Sequence, residues 1–128
     1  MADKKIIRTD RAPLPIGPYN QAVFANGFLF VSGQIALTPD TGELVTGEIR
    51  AETKRVMDNL SAILEAAGMD FSSVVKSTIY LTDMNNFAVV NEIYGSFFKE
   101  ETAPARETVQ VSKLPKGVNV EISVVAVK

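Results

Sequence analysis

A chain of 128 residues, 46% hydrophobic and 22% charged, has the composition of one ordinary globular domain spanning residues 1–128. Its net charge of −2 and the lack of a dense Lys/Arg run argue against a nucleic-acid surface, and no apolar run approaches a membrane span. With no histidine and no cysteine, it has no imidazole, disulfide or thiolate chemistry, and a cytoplasmic setting is the default.

Met1-Ala2-Asp3-Lys4-Lys5 leads into Ile6-Ile7-Arg8, too short and polar for a signal peptide. Pro13, Pro15, Gly17 and Pro18 make Ala12 to Tyr19 an extended, irregular connection. Asn26-Gly27, between Gln21–Ala25 and Phe28–Gln34, predicts a two-residue hairpin. Its register sets Ala25 opposite Phe28, Val23 opposite Phe30, Gln21 opposite Ser32 and Tyr19 opposite Gln34. Tyr19 should therefore end near Ser32-Gly33-Gln34. A polar loop over Thr38–Gly47 should turn at Pro39-Asp40-Thr41-Gly42.

A helix follows, with Thr53, Val56, Leu60, Ile63, Leu64 and Ala67 at helical spacing and Gly68 as its stop. Glu52, Arg55, Asp58 and Glu65 fall away from that stripe. Val74 to Leu81 alternates as a strand, and Asp83 to Asn86 supplies cap residues. A second helix aligns Phe87, Val90, Asn91, Tyr94, Phe97 and Phe98, ending by Pro104. Strands at about Glu107–Ser112 and Val118–Val127, joined by a loop at Leu114–Gly117, finish the chain. This order (β-hairpin, α, β, α, β, β) predicts an α+β fold, a mixed sheet with both helices on one face. Its bare face needs cover, most simply from another copy, so a homo-oligomer is expected.

Two residues stand out chemically. The fork of Arg106 suits a planar carboxylate, and Glu121 can handle water and protons beside one. If the last two strands form a hairpin pairing Gln110 with Glu121, then Arg106, Thr108, Gln110, Glu121 and Ser123 line one polar face. Arg106 would lie about four residues, roughly 13 Å, from Glu121. A small substrate or water could sit between them, or a neighbouring subunit could complete the site. Arg106 also reads as a surface arginine paired with Glu107 or Glu121, and Glu121 as a structural ion-pair partner. Gly33 marks either a bulge or a close ligand approach. Ser32 lacks any histidine to make it a nucleophile. Tyr19 is a cleft wall or a packed aromatic, Asn91 a local hydrogen-bonder, and Lys113 and Lys116 solvated. No phosphate loop, dinucleotide fingerprint or metal-ligand spacing occurs, so neither cofactor nor metal is expected.

Several motifs recur in order along nearly the whole chain: Ile16-Gly17-Pro18-Tyr19, Val31-Ser32-Gly33-Gln34-Ile35, Asp58-Asn59-Leu60, Glu65-Ala66-Ala67-Gly68, Phe87-Ala88-Val89-Val90-Asn91, Pro104-Ala105-Arg106, and Leu114-Pro115 followed by Val120-Glu121-Ile122. Together they resemble the Rid family, also called the YjgF/translation-inhibitor family, in its imine-deaminase branch. The resemblance implies a chorismate-mutase-like fold in a homotrimer, with sheets facing a central barrel and three intersubunit clefts. It implies hydrolysis of reactive 2-enamino and 2-imino acids, such as 2-aminoacrylate and 2-iminobutanoate, to 2-oxo acids and ammonia, protecting pyridoxal-phosphate enzymes. It implies that Arg106 grips the substrate carboxylate, that Glu121 orients or activates water, and that Tyr19, Ser32, Gly33 and Thr108 line the cleft. Thr108 stands where many relatives have cysteine, and Ser123 where many have glutamate. The competing expectation is a non-catalytic protein that senses a small carboxylate, or binds a regulatory partner, through the same cleft.

Overall fold

A computed structural model describes residues 3–128. Six strands form one mixed sheet in the order β1-β2-β3-β6-β4-β5. They are β1 (Lys5–Ile7), β2 (Ala22–Ala25), β3 (Phe28–Gln34), β4 (Val74–Leu81), β5 (Ala105–Gln110) and β6 (Val120–Val127), with helices α1 (Ile49–Ala66) and α2 (Phe87–Gly95). The β2–β3 hairpin has the expected register, Ala25 opposite Phe28 and Val23 opposite Phe30. Positive φ at Asn26 (54°) and Gly27 (85°) gives the turn the twist that matches its strands. The ladder ends at Ala22 and Val31; beyond it, Ser32 N donates to Gln21 O at 2.9 Å, and Tyr19 has left the sheet. The loop turn forms as read, with Gly42 N donating to Thr38 O.

Helix α1 ends as its sequence dictates. Gly68 (φ 73°) donates to Glu65 O and Met69 N to Leu64 O, the paired bonds of a left-handed helix stop. Val56, Met57, Leu60, Ile63 and Leu64 are fully buried against Leu29, Ile79, Leu81, Val120 and Ile122 in one core. Glu52 departs from expectation: it is fully buried. Helix α2 stops at Gly95 rather than near Pro104, and Phe97 and Phe98 pack on Phe71 and Tyr94 from the coil beyond it. The three-residue strand β1 is an addition, too short to have left a periodic signal.

The last two strands correct the sequence reading. They do not form a hairpin. β5 runs parallel to β4, as the α2 crossover permits, and β4 lies between β5 and β6. Tyr80 of β4 is flanked by Val109 on one side and Glu121 on the other. Because Arg106 aligns with Ser77 and Thr108 with Ile79, both belong to the helix-covered face. Glu121 and Ser123 alternate with the buried Val120, Ile122 and Val124, so they lie on the open face. The predicted single polar face therefore does not exist within one chain. The open face is instead largely apolar: Ile6, Val23, Phe28, Phe30, Val109, Val125 and Val127 share it, and Phe30 is 51% exposed.

Candidate functional site

A cleft of about 720 Å³ opens where β3 leaves the sheet. Tyr19, Ser32, Gly33, Gln34, Lys116 and Glu121 contribute its polar groups; prolines and aliphatic residues from 13–16, 35–39 and 115 form its walls. Its geometry begins with a bulge. Between Val31 and Gln34, β3 advances three residues while β6 advances two, from Val124 to Ile122. The extra residue turns Gly33 toward Glu121. A Cβ on Gly33 would overlap Glu121 Oε2 and stand 2.9 Å from Cδ, so only glycine lets the carboxyl occupy this seat.

The surrounding chain is pinned by buried amides. Gln21 is almost fully buried; its Nε2 donates to the carbonyls of Thr9, Ala12 and Pro13, and its Oε1 accepts from Thr9 N at 2.7 Å. This ties the proline-rich segment to the end of β2. Asn59 of α1 donates to Ile35 O and Leu37 O, fixing the opposite wall. Sequence reasoning gave neither amide a role, although an amide on the apolar stripe of α1 was a visible signal for Asn59. Ser32 Oγ donates to Asn20 O at 2.6 Å and so helps shape the rim. Tyr19 is half exposed, with its ring over Gly17.

Glu121 is the electrostatically unusual member. Burial pushes its carboxyl above the ordinary glutamate value, because the charged form loses water there. A carboxyl so raised keeps both protonation states accessible closer to neutrality, as a group that gives and takes protons requires.

Arg106 stands elsewhere. Its Nη1 donates to Asn91 Oδ1 at 2.7 Å, and its guanidinium lies 5.2 Å from the Tyr94 ring centre and 5.7 Å from that of Phe87. Tyr94 is fixed in turn, its hydroxyl donating to Ser77 Oγ at 2.8 Å. Neither carboxylate suggested as an ion-pair partner holds Arg106: Glu107 pairs with Lys76 at 3.3 Å, and Glu121 is on the other face. The guanidinium thus keeps free donors in a fixed orientation. Thr108, two residues along the same face, has a buried hydroxyl without a partner among the described residues. Gln110 serves the fold, its Oε1 accepting from Met84 N. Two half-sites result: Tyr19, Ser32, Gly33 and Glu121 in the cleft, and Arg106, Thr108 and Asn91 by the edge strand. Arg106 and Glu121 are separated by two strand spacings, about 10 Å, by a three-residue offset along the strands, about 10 Å more, and by the sheet itself.

Comparison with known proteins identifies the family. The family model described as endoribonuclease L-PSP matches residues 9–128. A RutC family protein of Synechocystis is 56% identical over 124 residues, covering 96% of this chain and 95% of that protein. The 2-iminobutanoate/2-iminopropanoate deaminase of Mus musculus is 48% identical over 125 residues, covering 98% and 92%. Among solved structures, E. coli TdcF with bound serine superposes with a TM-score of 0.90 at 44% identity, covering 97% of this chain and 98% of that one. The chain therefore belongs to the endoribonuclease L-PSP family, the Rid/YjgF family whose motifs its sequence carries.

Proposed function

We propose that the protein is an imine deaminase. It hydrolyses 2-imino acids and their 2-enamino tautomers, such as 2-iminobutanoate and 2-aminoacrylate, to 2-oxo acids and ammonia. Its sites are shared between copies of a homotrimer, and it relieves pyridoxal-phosphate enzymes of these electrophiles. The carrying observation is the seat of Glu121, a carboxyl pressed against side-chain-free Gly33 and raised by burial.

The chemistry suits these groups. An imine carbon is already electrophilic, so the site must hold the substrate, align one water and move protons. Arg106 holds the substrate carboxylate through two parallel hydrogen bonds. Protonated Glu121 delivers a proton to the methylene carbon of an enamine, or to the imine nitrogen. As carboxylate, it takes a proton from the attacking water. Glu121, now carrying the water's proton, passes it to the carbinolamine nitrogen and takes up the hydroxyl proton as the C–N bond breaks, releasing ammonia and a 2-oxo acid. Imidazole, thiolate and cofactor are dispensable to every step.

Two observations support sharing between copies. Arg106 and Glu121 lie on opposite faces of one sheet, and the open face is an apolar surface with the cleft at its margin. A second copy that lays its β5 edge along the margin of that face would bring its Arg106 to Glu121. The deaminase name of the mouse relative and the amino acid bound by TdcF point to the same ligand class.

A coupled assay tests the proposal. A serine/threonine dehydratase generates the imine, and 2-oxo acid release is followed against a semicarbazide trap. Wild type is expected to accelerate release and Arg106→Ala to lose that effect. If wild-type oligomer binds 2-oxobutanoate without accelerating release, a carboxylate-sensing role replaces catalysis.

A further inference from the structure

Glu52 lies in the first turn of α1, outside the cleft, and is fully buried. Its Oε2 accepts from Asn119 N at 2.7 Å and from Val120 N at 3.1 Å; its Oε1 accepts from Asn119 Nδ2 at 2.8 Å. Among the described residues, no lysine or arginine pairs with it. A buried carboxylate without a cation is a costly way to fill a helix position beside an apolar stripe. All three donors belong to the two residues that precede Glu121. From the other side, Thr82 N donates to Asn119 O at 3.2 Å. The chain is thus gripped from α1 and from just past the end of β4, at the two residues before the carboxyl that enters the cleft.

We infer that Glu52 is a positioning residue: by clamping the Asn119 and Val120 amides it sets where β6 begins, and so holds Glu121 in its seat against Gly33. The inference rests on Glu121 handling water and protons in the reading above. It deepens that reading by assigning the precision of the seat to a helix residue on the far side of the sheet.

The donor pattern supplies a discriminating test. Both backbone amides bind one oxygen of Glu52; the other oxygen meets only a side-chain amide, which can rotate half a turn and offer its oxygen instead. Glu52→Gln therefore preserves the clamp. Glu52→Leu fills similar space but orphans two buried N–H groups. The experiment compares wild type and both variants as folded oligomers. It measures kcat and KM in the coupled assay and, independently of activity, the carbon-13 NMR titration of the Glu121 carboxyl, identified as the signal lost in Glu121→Gln. The titratable or charged groups around that carboxyl are Tyr19 and Lys116 at the cleft, Tyr80 beside it on β4 and, in the shared site, Arg106 of a second copy. Neither substitution alters any of them.

Glu52→Gln is expected to match wild type in kcat and titration midpoint. Glu52→Leu is expected to lose ~10²-fold in kcat at unchanged KM, the scale of a small misplacement. Its Glu121 midpoint should fall toward the ordinary value as the seat admits water. A folded Leu variant with wild-type kcat and midpoint overturns the inference, as does a Gln variant as impaired as Leu. If the Leu variant does not fold, Glu52→Asp decides: its shorter reach displaces the clamped amides, and unchanged kcat and midpoint there overturn the inference. An inactive wild type whose Glu121 midpoint still responds to Glu52→Leu would sink the deaminase reading and leave the positioning role standing.

Discussion

Arg106 and Glu121 are held in opposite ways, and the proposed function gives both a part on one substrate. Arg106 is held by an amide and two rings yet keeps donors free. Arg106→Lys keeps the charge and loses the fork; a rise in KM of ~10–100-fold is expected in the coupled assay, the worth of a lost charge-assisted hydrogen bond. Glu121→Gln should lower kcat by ~10²–10⁴-fold while 2-oxobutanoate still binds by calorimetry. The same substitution bears on stability. Burial raises the Glu121 carboxyl, so the folded chain binds that proton more tightly than the unfolded one. Stability then falls as pH rises from the ordinary glutamate value through the raised one, and the cost is fully present above it. Glu121→Gln is expected to melt higher than wild type at neutral pH, with the difference vanishing in acid; equal melting curves at both pH values would count against a desolvated seat.

The elements place these residues through one irregularity and one crossover. The bulge in β3 gives Gly33 its approach to Glu121. Gly33→Ala should preserve the circular dichroism of the fold, since its φ lies outside the left-handed region, while displacing the carboxyl and costing ~10²-fold in kcat. The hairpin at Asn26-Gly27, the stop at Gly68 and the strand Val74–Leu81 were legible because each is written in neighbouring residues. Arg106 and Glu121 were legible as residue types. Their placement was not, because alternation in β5 is satisfied equally by a hairpin with β6 and by a parallel partner reached through α2. The burial of Glu52, set apart from the apolar stripe, was illegible for a related reason: the amides that satisfy it lie 67 and 68 residues further along the chain. Local periodicity cannot register a partner so distant.

At the scale of the molecule, the apolar open face and the divided site make the same demand. Phe30→Glu puts a charge at the centre of that face; sedimentation should show a smaller species, and deaminase activity should disappear while the helical signal persists. Co-expressing Arg106→Ala with Glu121→Gln gives a sharper result. If each site takes its arginine and its glutamate from different copies, random assortment in the mixed oligomer rebuilds about a quarter of the sites. Two inactive proteins should then yield an active mixture, whereas a site contained in one chain would stay inactive.

The strand that carries Glu121 is also the last of the six to be synthesised, yet it lies in the middle of the sheet, between β3 and β4. Until β6 leaves the ribosome, these two strands have no bridge and α1 has no floor. The nascent chain therefore cannot assemble in halves. It must hold two unpaired strand edges apart until β6 emerges, then close the sheet and the cleft in a single step. Chains released before β6 would expose sticky edges and lack Glu121 altogether, so failed synthesis is expected to yield aggregates rather than a partly formed cleft.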